Sequence, residues 1–147
     1  MTDGMTDDET LAAFIAGDEK GMGALNQKMG VKIVEATAER LVATMPVEGN
    51  TQPYGLLHGG ASVVLAESLG SLGSAIHAHP DRVSVGIDIN ATHHRAATSG
   101  LVTATATAIH LGRTVASYDI VITDERGKRV CTCRITCALI PPDRVPG

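Results

Sequence analysis

Between Gly60 and His77 runs a segment that, set on a helix, is apolar or small on nearly every side. Leu65, Leu69, Leu72 and Ile76 form one stripe at helical spacing, and Ser62, Ala66, Gly70 and Gly73 form a second of small residues that permits close backbone approach. A third stripe, Gly60, Val64, Glu67, Ser71 and Ser74, lies roughly opposite the leucines and holds the segment's one carboxylate. Such a helix is expected to be buried. One flat sheet cannot bury it, so the sheet must curl around it.

The strands to do so are present. Residues 31–36 and 40–47 read as two strands joined by a tight turn at Thr37-Ala38-Glu39. Four more follow the helix without another between them, at residues 82–93, 100–110, 114–124 and 128–140. Thr103, Thr105 and Thr107 alternate with Val102, Ala104, Ala106 and Ala108, and an alanine face suits a sheet lying close against a thick helix. Asp124-Glu125-Arg126-Gly127 reads as a hairpin turn. A short helix is expected over residues 7–16, a second over residues 21–29 ending at Gly30, and a frayed tail over residues 141–147. Two strands, one buried helix and four strands make an α+β class with a mostly antiparallel sheet.

At 147 residues this is one domain's worth of chain. A net charge of −4 argues against nucleic acid as the main partner. The start is acidic where a secretory leader is basic and then apolar, and no apolar run approaches the ~20 residues of a membrane span. A soluble, cytoplasmic protein is therefore expected, with no membrane partner. The aromatics are Phe14, Tyr54 and Tyr118, too few for stacking platforms along a single-stranded nucleic acid. Cys131, Cys133 and Cys137 continue through Ile135 and Leu139 as one strand face. Neighbours on that face lie ~6.5 Å apart along the strand and a fourth ligand is missing, so they read as reduced core thiols, not as a disulfide or a zinc site.

Chemistry concentrates at Gly55-Leu56-Leu57-His58-Gly59-Gly60-Ala61 and at Glu67. Glycines at a helix start let backbone N–H groups approach a ligand, and those groups lack helical partners and sit at the positive dipole end. They suit the oxygen of a polarised carbonyl, and a lone acid nearby supplies a base or nucleophile for attack on an acyl group. On residue types alone, Glu67 could equally be a structural acid, His58 a helix cap, and Ser71 a donor to a nearby carbonyl. Arg95 and Arg113 could simply be solvated.

Gln52-Pro53-Tyr54-Gly55-Leu56-Leu57-His58-Gly59-Gly60-Ala61, with Glu67 and Ser71, resembles the hotdog-fold acyl-CoA thioesterases. The branch is that of the phenylacetate-pathway, Glu-dependent 4-hydroxybenzoyl-CoA and 1,4-dihydroxy-2-naphthoyl-CoA thioesterases. Val85-Gly86-Ile87-Asp88-Ile89-Asn90 with His93 and Arg95, and His110-Leu111-Gly112, fit the last of these. The resemblance spans roughly residues 23–139. It divides the chain into an N-terminal helical segment (1–22), a hotdog domain (23–141) and a tail (142–147).

The resemblance implies a curled sheet around one long central helix, a homotetramer, and no cofactor or metal. It implies Glu67 as nucleophile or general base and the Gly59 N–H as the group polarising the thioester carbonyl. Gln52 and His58 follow as substrate-positioning and oxyanion-supporting groups, and Ser71 as the partner orienting Glu67 or its water. Asn90, His93, Arg95 and Arg113 fall where the family meets pantetheine and nucleotide. The activity implied is hydrolysis of an acyl- or aroyl-CoA to free acid and CoA. Action on mischarged acyl carrier protein, or acyl-CoA sensing without turnover, are the rivals.

Spacing adds a constraint of its own. Gly59 and Glu67 stand eight residues apart, ~12 Å along a helix. One thioester cannot place its oxygen ~3 Å from the first and its carbon against the second. If both act, they come from two copies of the chain with their helices antiparallel.

Overall fold

The structure is a computed structural model that describes residues 9, 12 and 19–145. Its elements run α1 (Glu19–Met29), β1 (Lys32–Ala36), β2 (Arg40–Pro46), α2 (Gly59–Ala78), β3 (Val83–His93), β4 (Leu101–Leu111), β5 (Val115–Thr123) and β6 (Arg129–Ile140). All six strands join one antiparallel sheet in the order β1-β2-β4-β5-β6-β3. The sheet curls around α2, so the fold is the expected α+β hotdog.

Packing explains why α2 sits so deep. A Cβ at Gly70 would lie 2.2 Å from Ile135 Cγ2, and one at Gly73 would lie 2.7 Å from Leu41 Cδ1 and from the Tyr118 ring. The small stripe thus gives the sheet its contact distance. Leu65, Leu69 and Leu72 are buried beside it, in one core with Ala43 of β2 and Ala104 and Ala106 of β4. Each fully buried leucine contributes about 1.5–3 kcal/mol. Thr103, Thr105 and Thr107 face outward, as the alternation implies.

Tyr118 is fully buried, yet its hydroxyl donates to Ala38 O at 2.6 Å; burial pushes its pKa up. Cys131, Cys133 and Cys137 are buried and unbridged. The Sγ atoms of Cys131 and Cys133 meet at 3.5 Å, and that hydrogen bond together with burial pushes the Cys133 thiol up.

α1 ends as its sequence implies. Gly30 has φ +75°, Val31 N–H donates to Asn26 O and Gly30 N–H to Gln27 O, which is a Schellman cap. It starts two residues earlier than expected, with an internal break at Gly23, also at φ +75°. The helix expected over residues 7–16 lies outside the described residues, Glu9 and Ala12 excepted, both of which are helical. Beyond β6 the expected fraying is absent from residues 142–144, which form one 3-10 turn. No helix among the described residues is long and apolar enough to cross a membrane.

One expectation fails in a single chain. The third stripe of α2 is not buried: Gly60 and Glu67 are exposed, and Val64 and Ser71 are half-buried. Of that stripe only Ser74 is enclosed. The sheet wraps the leucine and glycine sides and stops at β3, whose outer edge pairs with no described strand.

Candidate active site

The loop before α2 is built to hold its shape. Asn50 donates through Nδ2 to Met29 O at 2.7 Å and Pro46 O at 2.8 Å, and its own carbonyl accepts from His58 N–H at 2.9 Å. Leu57 N–H donates to Ala97 O at 2.9 Å, which ties the loop to the segment after β3. Gly55, at φ +79°, closes the turn over Gln52 and donates to Gln52 O at 2.9 Å. Gln52 Oε1 accepts from the N–H groups of Tyr54 and Leu56. Its amide NH2 donates to no described acceptor.

His58 is the N-cap of α2. Its Nδ1 accepts from Gly60 N–H at 2.8 Å, so the ring is neutral here and carries its proton on Nε2. The Gly59 N–H donates to no described acceptor. It stands at the positive end of a 20-residue helix and is one of the four orphan donors every helix start presents.

His93 packs directly on this glycine: a Cβ at position 59 would lie 2.9 Å from His93 Nε2. The close approach that requires Gly59 is thus to a side chain as well as to any ligand. Gln52, Leu56, Leu57, Gly59, Ser62, the segment His93 to Ala97 and Val130 line a cleft of about 430 Å³. No acidic residue lines it.

Glu67 lies away from this cleft, two turns along α2. Its carboxylate rests on β3, where a Cβ at Gly86 would come 3.1 Å from Oε1. β3 is irregular at this point. The register shifts between Gly86 and Asp88, and Ile87 is left 61% exposed at the sheet edge. Glu67 is itself exposed, where burial was expected, and no hydrogen bond joins it to Ser71.

Of the residues singled out from sequence, Gln52, Gly59, His93 and Arg95 meet in the cleft, with His58 capping the helix beside it. Four do not meet them. Asn90 alternates with the core-facing Ile89 and Ala91 and points outward, opposite Arg134 of β6. Arg113 sits at the far end of α2, where it lines a separate cleft of about 570 Å³ with His77, Asp81 and Arg82. Ser71 shares the open face with Glu67. Asn50 and Gly86 were passed over as a loop residue and a motif glycine. Their roles depend on contacts 21 and 19 positions distant along the chain, which no local pattern displays. No group of described residues has the composition of a metal site.

A donor-rich helix start and an exposed carboxylate stand on the same helix, and acyl transfer uses groups of these two kinds. The family comparison agrees. The model of the thioesterase superfamily matches residues 54–131, more than half of the chain. The chain belongs to the thioesterase superfamily. It is a thioester hydrolase, similar to the proofreading thioesterase EntH of Klebsiella pneumoniae, with 45% identity over 132 residues, 89% of this chain and 94% of that one. A mutant thioesterase from Pseudomonas aeruginosa, solved with one glutamine replaced by alanine, superposes with a TM-score of 0.79 at 41% identity. That match covers 95% of this chain and 97% of the relative. A Staphylococcus aureus thioesterase, also solved with a glutamine replaced by alanine, gives 0.78 at 35% identity over 81% of this chain and 100% of its own. The same protein was also solved with a glutamate replaced by alanine, fifteen residues further on. Gln52 and Glu67 here have that same separation.

Proposed function

We propose that this hydrolase cleaves acyl- or aroyl-CoA thioesters to the free acid and CoA, in a site shared by two antiparallel copies of the chain. The observation that carries the reading is the open face of α2. Glu67 is exposed and the Gly59 N–H has no described acceptor, yet both belong to one helix, ~12 Å apart. A second copy across this face supplies the missing half to each, and the unpaired edge of β3 offers backbone groups for joining the two sheets. A homotetramer formed from two such dimers is part of the proposal, as is a cytoplasmic setting.

The chemistry follows from these parts. The Gly59 N–H receives the thioester oxygen as it gains charge, and the Gln52 amide and His58 Nε2–H are the further donors at hand. Glu67 of the other copy attacks the carbonyl carbon itself or takes a proton from the attacking water. A C–O bond forms, the C–S bond breaks, and the departing thiolate takes up a proton; where Glu67 is the nucleophile, water then opens the acyl-glutamate anhydride, which frees the acid and restores the carboxylate. Thioesters lack the strong resonance of amides, so a carboxylate and preorganised donors suffice. His93 and Arg95 face the pantetheine and phosphate end. The Gln52 to Glu67 interval shared with the mutated relative supports the paired roles.

A second reading has its own support, because the Klebsiella pneumoniae relative is named a proofreading thioesterase. Clearing of wrongly charged acyl carrier protein would use the same site, since the carrier presents the same phosphopantetheine thioester. Thiol release across a panel of aliphatic and aromatic acyl-CoAs tests the main reading. Turnover of several CoA thioesters is expected, and its absence on all of them would overturn it.

A further inference from the structure

α1 is held in place more firmly than its share of the core explains. Ser68 Oγ donates to Asn26 Oδ1 at 2.8 Å, one residue along α2 from Glu67. At the other end of α1 the Met29 carbonyl accepts from Asn50 Nδ2 at 2.7 Å, and the Asn50 backbone carbonyl in turn takes the His58 N–H. Yet among the described side chains of α1, Met29 is the one hydrophobic packed against the core, and Ala24, Leu25, Gln27 and Lys28 are exposed.

Helical angle sorts the same residues. At about 100° per residue, Leu25, Met29 and Asn26 fall within one arc of about 100°, and Ala24, Gln27 and Lys28 fall outside it. Asn26, bonded to α2, is buried and Met29 is half-buried, so this arc is the inward one. Leu25 belongs to it and is still 56% exposed. An inward leucine with open space before it is the anomaly of this helix.

That space borders the open face of α2. The face runs from Glu67, whose carboxylate lies at Gly86 of β3, through Ser71 and Val64 to Ser68, where α1 is tied. β3 and α1 are therefore the two banks of a trough, with half-buried Val64 and Ser71 as its floor. Apart from Glu67 the floor carries no charge. A thioester whose carbonyl carbon meets Glu67 projects its acyl group away from the sulfur, across this floor, and Leu25 is the apolar side chain on the far bank. α1 lies outside residues 54–131, so that bank is no part of what the superfamily model matches.

We propose that Leu25 is a specificity-determining residue: α1, pinned through Asn26 to Ser68, walls the acyl site, and the Leu25 side chain sets how long an acyl group the site takes. This rests on Glu67 as the acid of the reaction and adds the means by which the acyl group is chosen. Asn26 is a positioning residue in this arrangement, because it acts by holding the wall.

The experiment measures kcat/KM across acetyl-, butyryl-, hexanoyl-, octanoyl- and lauroyl-CoA. In Leu25→Trp, the longest substrates that wild type cleaves should fall about tenfold or more relative to the shortest, since a hydrophobic wall discriminates strongly by the methylene. Leu25→Ala should shift the profile the other way, toward longer chains. Both should keep the wild-type melting temperature, because the side chain is exposed. Asn26→Ala should flatten the profile while kcat on the best short substrate stays within about threefold. Gln27→Trp, on the outward side of the same helix, should leave the profile as it is.

An unchanged profile in both Leu25 variants overturns the proposal, as does a loss of equal size at every chain length. So does a change of oligomeric state in Leu25→Trp, which would assign the leucine to a contact between copies, or a wild-type enzyme that cleaves none of the series. Glu67→Ala tells this failure from that of the reading beneath it. If that variant keeps wild-type turnover, Glu67 is not the acid and both fall. If it is inactive while the Leu25 variants keep the wild-type profile, only the wall falls.

Discussion

The two sides of α2 obey different rules. Toward the sheet, Gly70, Gly73 and the leucines meet Ile135, Leu41 and Tyr118 at contact distance, and nothing there is left open. Toward solvent, Glu67 is exposed and Val64 and Ser71 are half-buried, and the Glu67 carboxylate lies where a side chain at Gly86 would press on it. The first side stabilises the fold. The second is open in one chain, as the proposed two-copy site requires. Residues on the closed side should therefore govern stability with little change in chemistry, and residues on the open side the reverse.

The largest expected effect is on the open side. Glu67→Ala should lower kcat by about 10²–10⁴ with the melting temperature nearly unchanged, because the side chain is exposed. Steady-state kinetics beside a thermal melt would test this; a strongly destabilised variant would break the comparison. A mixing experiment sharpens it. Glu67→Ala and Gln52→Ala, each nearly inactive, should regain about a quarter of wild-type activity when co-refolded, since half of the dimers then hold one intact site. No recovery would mean that each chain builds its own centre.

On the closed side, Gly70→Ala should cost about 1–3 kcal/mol in urea unfolding, because the added methyl meets Ile135 at 2.2 Å. The folded fraction should keep its kcat. Gly86→Ala sits on the boundary. The new Cβ would press on Glu67 Oε1 at 3.1 Å, so kcat should drop about tenfold with a much smaller loss of stability.

The smallest effect concerns the helix start. His58→Asn keeps an N-cap acceptor, whereas His58→Ala removes it and should cost about 1 kcal/mol of stability. If His58 also supports the oxyanion, both variants lose activity and only the alanine variant loses stability. Equal stability for the two would show that the Gly60 N–H bond contributes nothing.

Local pattern determined a good deal here. Alternating Thr and Ala, the leucine stripe, the Gly30 stop and the Asp124-Glu125-Arg126-Gly127 turn specify strands, helix and ends, because each rests on forces between residues close in sequence. The same range of vision finds Gly59 and Glu67 and even their incompatibility within one helix, since helical rise is a local quantity. What it could not supply were contacts made across the chain. The placement of His93 on Gly59, of Glu67 on Gly86, of Asn50 between Met29 and Pro46, and the separation of Arg113 and Asn90 from the cleft all depend on how the sheet curls and where β3 bulges. Those were decided by close packing in three dimensions, where a single register shift changes which side chains meet.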